Sequence, residues 1–171
     1  MSNNAPGFAD AIIGTYYDLG TTALLNGRYE IAETMYKAAL AEPAPKKTKS
    51  KFVLPLLLCM ARTHEGRRRH YKAKLLYIRA LAHYKRHFSP NDATVVEILC
   101  LLARVNAKQG LFKQASEFVA EACQHWRQNP EPCLAAIMIL NELYSLLDQR
   151  QRRNELTQVS ELLNQLASAE N

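Results

Sequence analysis

The side chains of this chain that could do chemistry are mostly cations. Its 171 residues carry 22 Lys and Arg against 16 Asp and Glu, a formal net charge of +6, and the pI is about 9.2. A balance of that sign favours acidic partners or nucleic acid without choosing between them. Arg62 and Arg104 fall at equivalent places in a repeated pattern set out below. Two guanidiniums in a row can grip a carboxylate through paired N–H donors. A second set, Arg28, Arg67, Arg68, Arg69, Lys113, Arg150, Arg152 and Arg153, falls at or beside expected turns. Such a stripe could follow a phosphate backbone. It lacks the interleaved aromatics that stack bases and the residue code of RNA-reading helical repeats.

Other constellations are weaker. His83 and His87 have an i, i+4 spacing able to hold a metal, but no further His, Asp or Glu lies near enough in sequence to complete a site. Cations at a helix C-terminus are favoured by its dipole in any case. Cys59, Cys100, Cys123 and Cys133 are widely spaced, form no CxxC, and read as reduced core thiols of a cytoplasmic protein. There is no nucleophile–base–orienter set, no Gly-rich phosphate loop and no pair of catalytic carboxylates. No enzyme, cofactor or metal is therefore expected. The longest apolar run, Phe52–Ala61, contains Pro55 and is far shorter than the roughly 20 residues that span a bilayer, and no signal-peptide pattern opens the chain. No membrane role is expected.

Positioning falls to helices, since glycine is scarce and proline is confined to short stretches. The best-formed stretch is Tyr16–Ala39, with Leu19-Gly20, Ala23, Gly27, Tyr29, Ala32, Tyr36 and Ala39. Gly20 and Ala32 are small where two helix backbones would approach, and Tyr16, Leu19, Tyr29 and Tyr36 would fill the space around them. Ala73, Tyr77 and Ala80, then Ala115, Val119 and Ala122, repeat the second half of that pattern, with Leu156, Ser160 and Leu163 in a fourth, weaker copy. The anchors Ala32, Ala73, Ala115 and Leu156 are 41, 42 and 41 residues apart. A helix pair that cannot bury its apolar face alone must stack on copies of itself.

The expected organisation is a tail at 1–8, a single domain at 9–167 and a tail at 168–171. The domain divides into units at about 9–42, 51–88, 92–128 and 132–167. Pro43-Ala44-Pro45 ends the first unit. The basic stretch Lys46–Lys51 reads as a linker with Ser50 as the next N-cap, and Gly66 as a helix stop. Ser89-Pro90-Asn91-Asp92 and Asn129-Pro130-Glu131-Pro132 are further breaks. The fold class is all-α: a right-handed superhelical solenoid of about four antiparallel helix pairs. Tyr29, Tyr36, Tyr71, Tyr77, Phe112 and Phe118 read as a core ladder. Of the adjacent Tyr16 and Tyr17, one should be buried and Tyr17 exposed.

Asn26-Gly27-Arg28-Tyr29-Glu30-Ile31-Ala32 and Gln109-Gly110-Leu111-Phe112-Lys113-Gln114-Ala115, with the lead-in Ser89–Val95, resemble tetratricopeptide (TPR) repeats. The period is longer than the roughly 34 residues of the ordinary repeat, which makes the chain similar to the long-repeat, kinesin-light-chain type. The resemblance covers about residues 13–165. It implies a protein-interaction scaffold whose first helices line a concave face. The lysine and asparagine clamp of chaperone-binding members is not matched, since Tyr17, Thr21, Leu58 and Arg62 stand in its place.

Carrying the repeat register over places Tyr17, Thr21 and Leu24 on that face, followed by Leu58, Arg62 and Glu65, then Cys100, Arg104 and Lys108, then Asn141, Ser145 and Asp148. The function read from this is a peptide- or protein-binding adaptor, scaffold or chaperone, its ligand acidic or mixed. Nucleic-acid binding through the basic turns is the alternative. A third reading is self-assembly as a homodimer through the last unit, which Leu134, Ile137, Ile139 and Leu140 with Leu156, Val159 and Leu163 leave very apolar.

Overall fold

Four chain reversals repeat one hydrogen-bond pattern, and that pattern sets the fold. The computed structural model describes residues 6–43, 46–88, 93–130 and 133–168. Among them are eight α-helices: α1 Pro6–Leu25, α2 Tyr29–Ala41, α3 Lys46–Gly66, α4 His70–His87, α5 Ala93–Lys108, α6 Phe112–Gln128, α7 Leu134–Gln149 and α8 Arg153–Ser168. The described residues contain no strand. The fold is an all-α helical repeat, as the sequence predicts.

Within each pair the first helix ends in a Schellman motif. Gly27 N–H donates to the Leu24 carbonyl and Arg28 N–H to that of Ala23. The same two bonds recur at Arg68 and Arg69, at Gly110 and Leu111, and at Gln151 and Arg152. The residue in the left-handed region is Gly27, Arg68, Gly110 or Gln151, with φ of 69°, 56°, 78° and 56°. The second helix is then opened by Ala32, Ala73, Ala115 and Leu156, each donating to the carbonyl four residues back. The left-handed residues are spaced like the anchors, at 41, 42 and 41 residues.

The described residues divide into two compact halves, Met1–Ala80 and Leu81–Asn171, so that the division falls inside α4. In the N-terminal half α1 packs on α2 and α3, and α2 on α3. Ala32, Tyr36 and Ala39 are buried against this layer, with Ile13, Ala23, Leu56 and Ala61. Gly20 sits under Tyr36, where a Cβ would come within 2.6 Å of the ring. In the C-terminal half α5 packs on α6 and α7, α7 on α8, and α6 on α8. From Val95 to Ala107, α5 is buried at every position except Glu97 and Arg104, which is the burial of a helix covered on several sides.

Several sequence expectations are corrected. Lys46–Lys51 is not a linker but the first turns of α3, and Ser50 lies inside the helix rather than capping it. Lysine is a good helix former and residues 46–54 hold no Gly or Pro, so nothing breaks the backbone there. Residues 6–8 begin α1. The helix stop read at Gly66 holds, since α3 ends on that residue. In α8 the buried residues are Val159, Leu162 and Leu166, whereas Ser160 and Leu163 are only half-buried. Earlier second helices bury the residues equivalent to those two. The inner face of α8 is thus turned by one position. Tyr71, assigned to the aromatic core, is 66% exposed. Tyr16 and Tyr17 are both half-buried. The breaks Ser89–Asp92 and Glu131-Pro132 lie outside the described residues.

Candidate functional site

The face expected to bind is carried by the first helices, and it is described separately in each half. In the N-terminal half Tyr17 and Thr21 project from α1, and Leu58 and Arg62 from α3. Tyr17, Thr21, Leu24 and Leu58 are half-buried, while Arg62 is exposed. Thr21 donates its hydroxyl to the Tyr17 carbonyl at 2.9 Å and lies 3.3 Å from the Tyr36 hydroxyl. The Cys59 thiol is directed at the Tyr17 hydroxyl at 3.8 Å, and the Tyr17 and Tyr36 ring centroids are 6.3 Å apart. Burial, then the nearby Cys59, push the Tyr17 phenol above its ordinary value, opposed by the Thr21 hydrogen bond and the Arg62 charge. The result is an amphipathic phenol held by its neighbours with a guanidinium beside it.

Glu65 was expected on this face, but it is buried and accepts a 2.7 Å hydrogen bond from the Tyr77 hydroxyl. It is part of the packing between α3 and α4. The sequence could not decide this, because a glutamate two turns from Leu58 reads as readily outward as inward.

In the C-terminal half Cys100 is fully buried and lines no surface. Burial pushes its thiol well up, with Cys133 and Cys123 adding to the effect. Burial likewise raises Cys123. Thiols held protonated in this way are poor nucleophiles. None of the four cysteines forms a disulfide. Register places Ala107 rather than Lys108 level with Glu65, and Ala107 is buried while Lys108 is exposed. Arg104 is no bare cation: its guanidinium reaches Glu142 on α7 at 2.7 Å, its side chain only 11% exposed. Asn141, Ser145 and Asp148 are exposed, and the Ser145 hydroxyl bonds back to the Asn141 carbonyl.

Two residues of this face escaped the sequence reading. Leu134 and Met138 stand two turns and one turn before Asn141 and Glu142 on α7, and they are 68% and 69% exposed. Their i, i+4, i+7 relation to Asn141 was the available signal. Leu134 was read instead as part of an apolar last unit, and Met138 was not singled out.

Three of the cations at the turns, Arg67, Arg69 and Arg152, are engaged in ion pairs. Arg67 contacts Glu30 and Glu33, each at 2.9 Å, and Arg69 lies 3.7 Å from Glu33. Arg152 pairs with Glu155 at 2.6 Å and stacks 4.6 Å over the Phe112 ring, beside a cleft lined by Gly110, Leu111, Lys113 and Gln114. Arg28, Arg68, Lys113, Arg150 and Arg153 are exposed. Several cations expected to meet phosphates therefore join helix to helix. The His83 and His87 rings lie 4.6 Å apart, tilted by 43°, and no group of three potential metal ligands occurs among the described residues. No helix of the described residues is long and apolar enough to cross a membrane.

No family model matches the sequence, and no curated protein matches it. Among solved structures, BtubC (BKLC) from P. vanneervenii matches with a TM-score of 0.67 at 17% identity. That protein is a bacterial, kinesin-light-chain-like TPR protein. The match covers 96% of this chain and 65% of that one. At that identity the likeness shows the fold, a TPR-like helical repeat. The chain spans 65% of the length of that structure.

Proposed function

We propose that this chain is a protein-interaction module of the long-repeat TPR type, acting in the cytoplasm as an adaptor, scaffold or chaperone. It holds a peptide or protein segment on the faces of its first helices. The observation that carries the reading is the outer face of α7. Leu134 and Met138 are more than two-thirds exposed, in line with the amide of Asn141 and beside the Arg104–Glu142 pair. Exposed apolar side chains next to fixed polar groups are what an extended or helical ligand needs: anchors for affinity and hydrogen-bonding groups for register. Because Arg104 is already paired, the favoured ligand is mixed in character, with one or two apolar anchors and polar flanks.

Peptide display on the purified protein, followed by titration of the enriched peptides, tests this. Met138→Asp and Asn141→Ala should weaken binding at least about tenfold, equivalent to about 1.4 kcal/mol. Equal binding by wild type and both variants would remove this face from the proposal.

A further inference from the structure

Helix α4 has no acidic residue in its 18 positions, yet it carries Lys72, Lys74, Arg79, Lys85 and Arg86. Its inward face is set by Ala73, Leu76, Tyr77 and Ala80, all buried. The opposite face is not simply polar. Tyr71, Leu75 and Ile78 are 66%, 45% and 40% exposed and follow one another at i, i+4 and i+7, so they form one strip. At 1.5 Å per residue the strip is about 10 Å long. Lys72 and Arg79 are exposed along one side of it. Arg68, in the turn just before the helix, is exposed with its backbone in the left-handed region at φ 56°. Neither Lys72 nor Arg79 forms an ion pair within the described residues, unlike Arg67 and Arg69.

We infer that this face of α4 docks an acidic amphipathic helix of a partner protein. Apolar side chains of the partner would cover Tyr71, Leu75 and Ile78, and its carboxylates would meet Arg68, Lys72 and Arg79. Charge complementarity selects the occupant. A row of apolar anchors at helical spacing suits a helix laid along it, and a flank of cations without a single carboxylate on the same helix calls for acidic groups. A lipid surface fits less well, because membrane affinity scales with the apolar area inserted and this strip is only two turns long. Nucleic acid would leave the strip uncovered. The surface belongs to the second helix of its pair, so it is separate from the face of the proposed function.

The test titrates a fluorescent synthetic peptide against the full chain. The peptide is a helix of about four turns with leucines at i, i+4 and i+7 and glutamates beside them. Parallel titrations use a polyglutamate of equal length, phosphatidylserine-containing vesicles and a DNA duplex. The amphipathic peptide should bind, and polyglutamate much more weakly. Leu75→Asp with Ile78→Asp should abolish peptide binding, and Lys72→Glu with Arg79→Glu should weaken it at least about tenfold. Met138→Asp should leave it unchanged, which separates this surface from the α7 face. All the altered side chains are exposed, and unchanged thermal melts verify folding. Absence of binding by the amphipathic peptide, binding indifferent to both double variants, or vesicles or duplex binding through these residues in its place would overturn the inference.

Discussion

The ring of Tyr29, the first residue of α2, lies directly over Gly66, the last residue of α3: a Cβ built on Gly66 would stand 2.3 Å from both Cε1 and Cζ. The glycine is therefore a packing residue. Gly66→Ala must push the ring aside and should cost about 1–3 kcal/mol, as overpacking does, measured by urea unfolding. Combining it with Tyr29→Ala should recover part of that loss, and strict additivity of the two would contradict the contact. Gly14 is the control, since nothing lies within 4 Å of a Cβ there. Gly14→Ala in α1 should stabilise by about 0.5–1 kcal/mol.

The four reversals share one backbone but not one residue. Glycine holds the left-handed position at Gly27 and Gly110, a side chain at Arg68 and Gln151. Left-handed backbone costs a non-glycine residue about 1–2 kcal/mol. Gln151→Gly should raise the urea midpoint by an amount worth about 1 kcal/mol, and Gly110→Ala should lower it similarly. No change in either variant would mean that the unfolded state offsets the strain.

Tyr77 donates to the buried Glu65 carboxylate at 2.7 Å. Tyr77→Phe keeps the ring and deletes the donor. It should cost about 1.5–3 kcal/mol, in the range for a hydrogen bond to a charged group. A loss below about 0.5 kcal/mol would show that the hydroxyl contributes little to holding α3 and α4 together.

The Arg104–Glu142 pair predicts a separation of effects. Glu142 is 60% exposed, so Glu142→Ala should change stability by about 1 kcal/mol or less. It also removes one carboxylate from the Arg104 guanidinium, and selected ligands should shift toward acidic sequences. Repeating the peptide display on the variant measures that shift. An unchanged sequence preference would show that Arg104 does not read the ligand.

Acid should weaken the N-terminal half through two groups. Burial holds the His64 imidazole below its usual value, so between the unfolded and folded values the unfolded chain binds the extra proton and stability falls as the pH drops. The Lys37 hydrogen bond holds Glu33 below the usual carboxylate range, against a smaller opposing effect of burial. Its stabilisation is present above the unfolded value and is lost as the pH falls through the folded one. Stability measured across these windows should flatten at mildly acidic pH in His64→Gln, and at lower pH in Glu33→Gln. Parallel curves for wild type and variants would assign the acid sensitivity elsewhere.

Much of the repeat was legible because its signals are local. Small anchors such as Ala32, Ala73 and Ala115 and turn residues such as Gly27 and Gly110 recur at a fixed spacing, and each acts on its own backbone. The fourth reversal was placed correctly from that spacing, although Gln151 is no turn residue by type. The candidate face was legible only in part. Tyr17, Thr21, Arg62, Asn141 and Ser145 do lie on or near the surface. Cys100 and Glu65 do not, and Leu134 and Met138 were missed. A repeat register tells which residues are equivalent, but equivalent residues differ in depth when their neighbours differ in size.

By itself the sequence determined the all-α class, the number of helix pairs and the place of each intra-pair reversal. These follow from backbone preferences and from spacing, which act over a few residues. Tertiary structure alone decided that Glu65 bonds Tyr77, that Arg104 is held by Glu142, that Gly66 carries a tyrosine ring, and that α4 leaves Tyr71, Leu75 and Ile78 uncovered. Each depends on which side chain arrives from another helix to satisfy a charge or fill a space. That arrival is set by packing between helices, to which no local pattern in the chain refers.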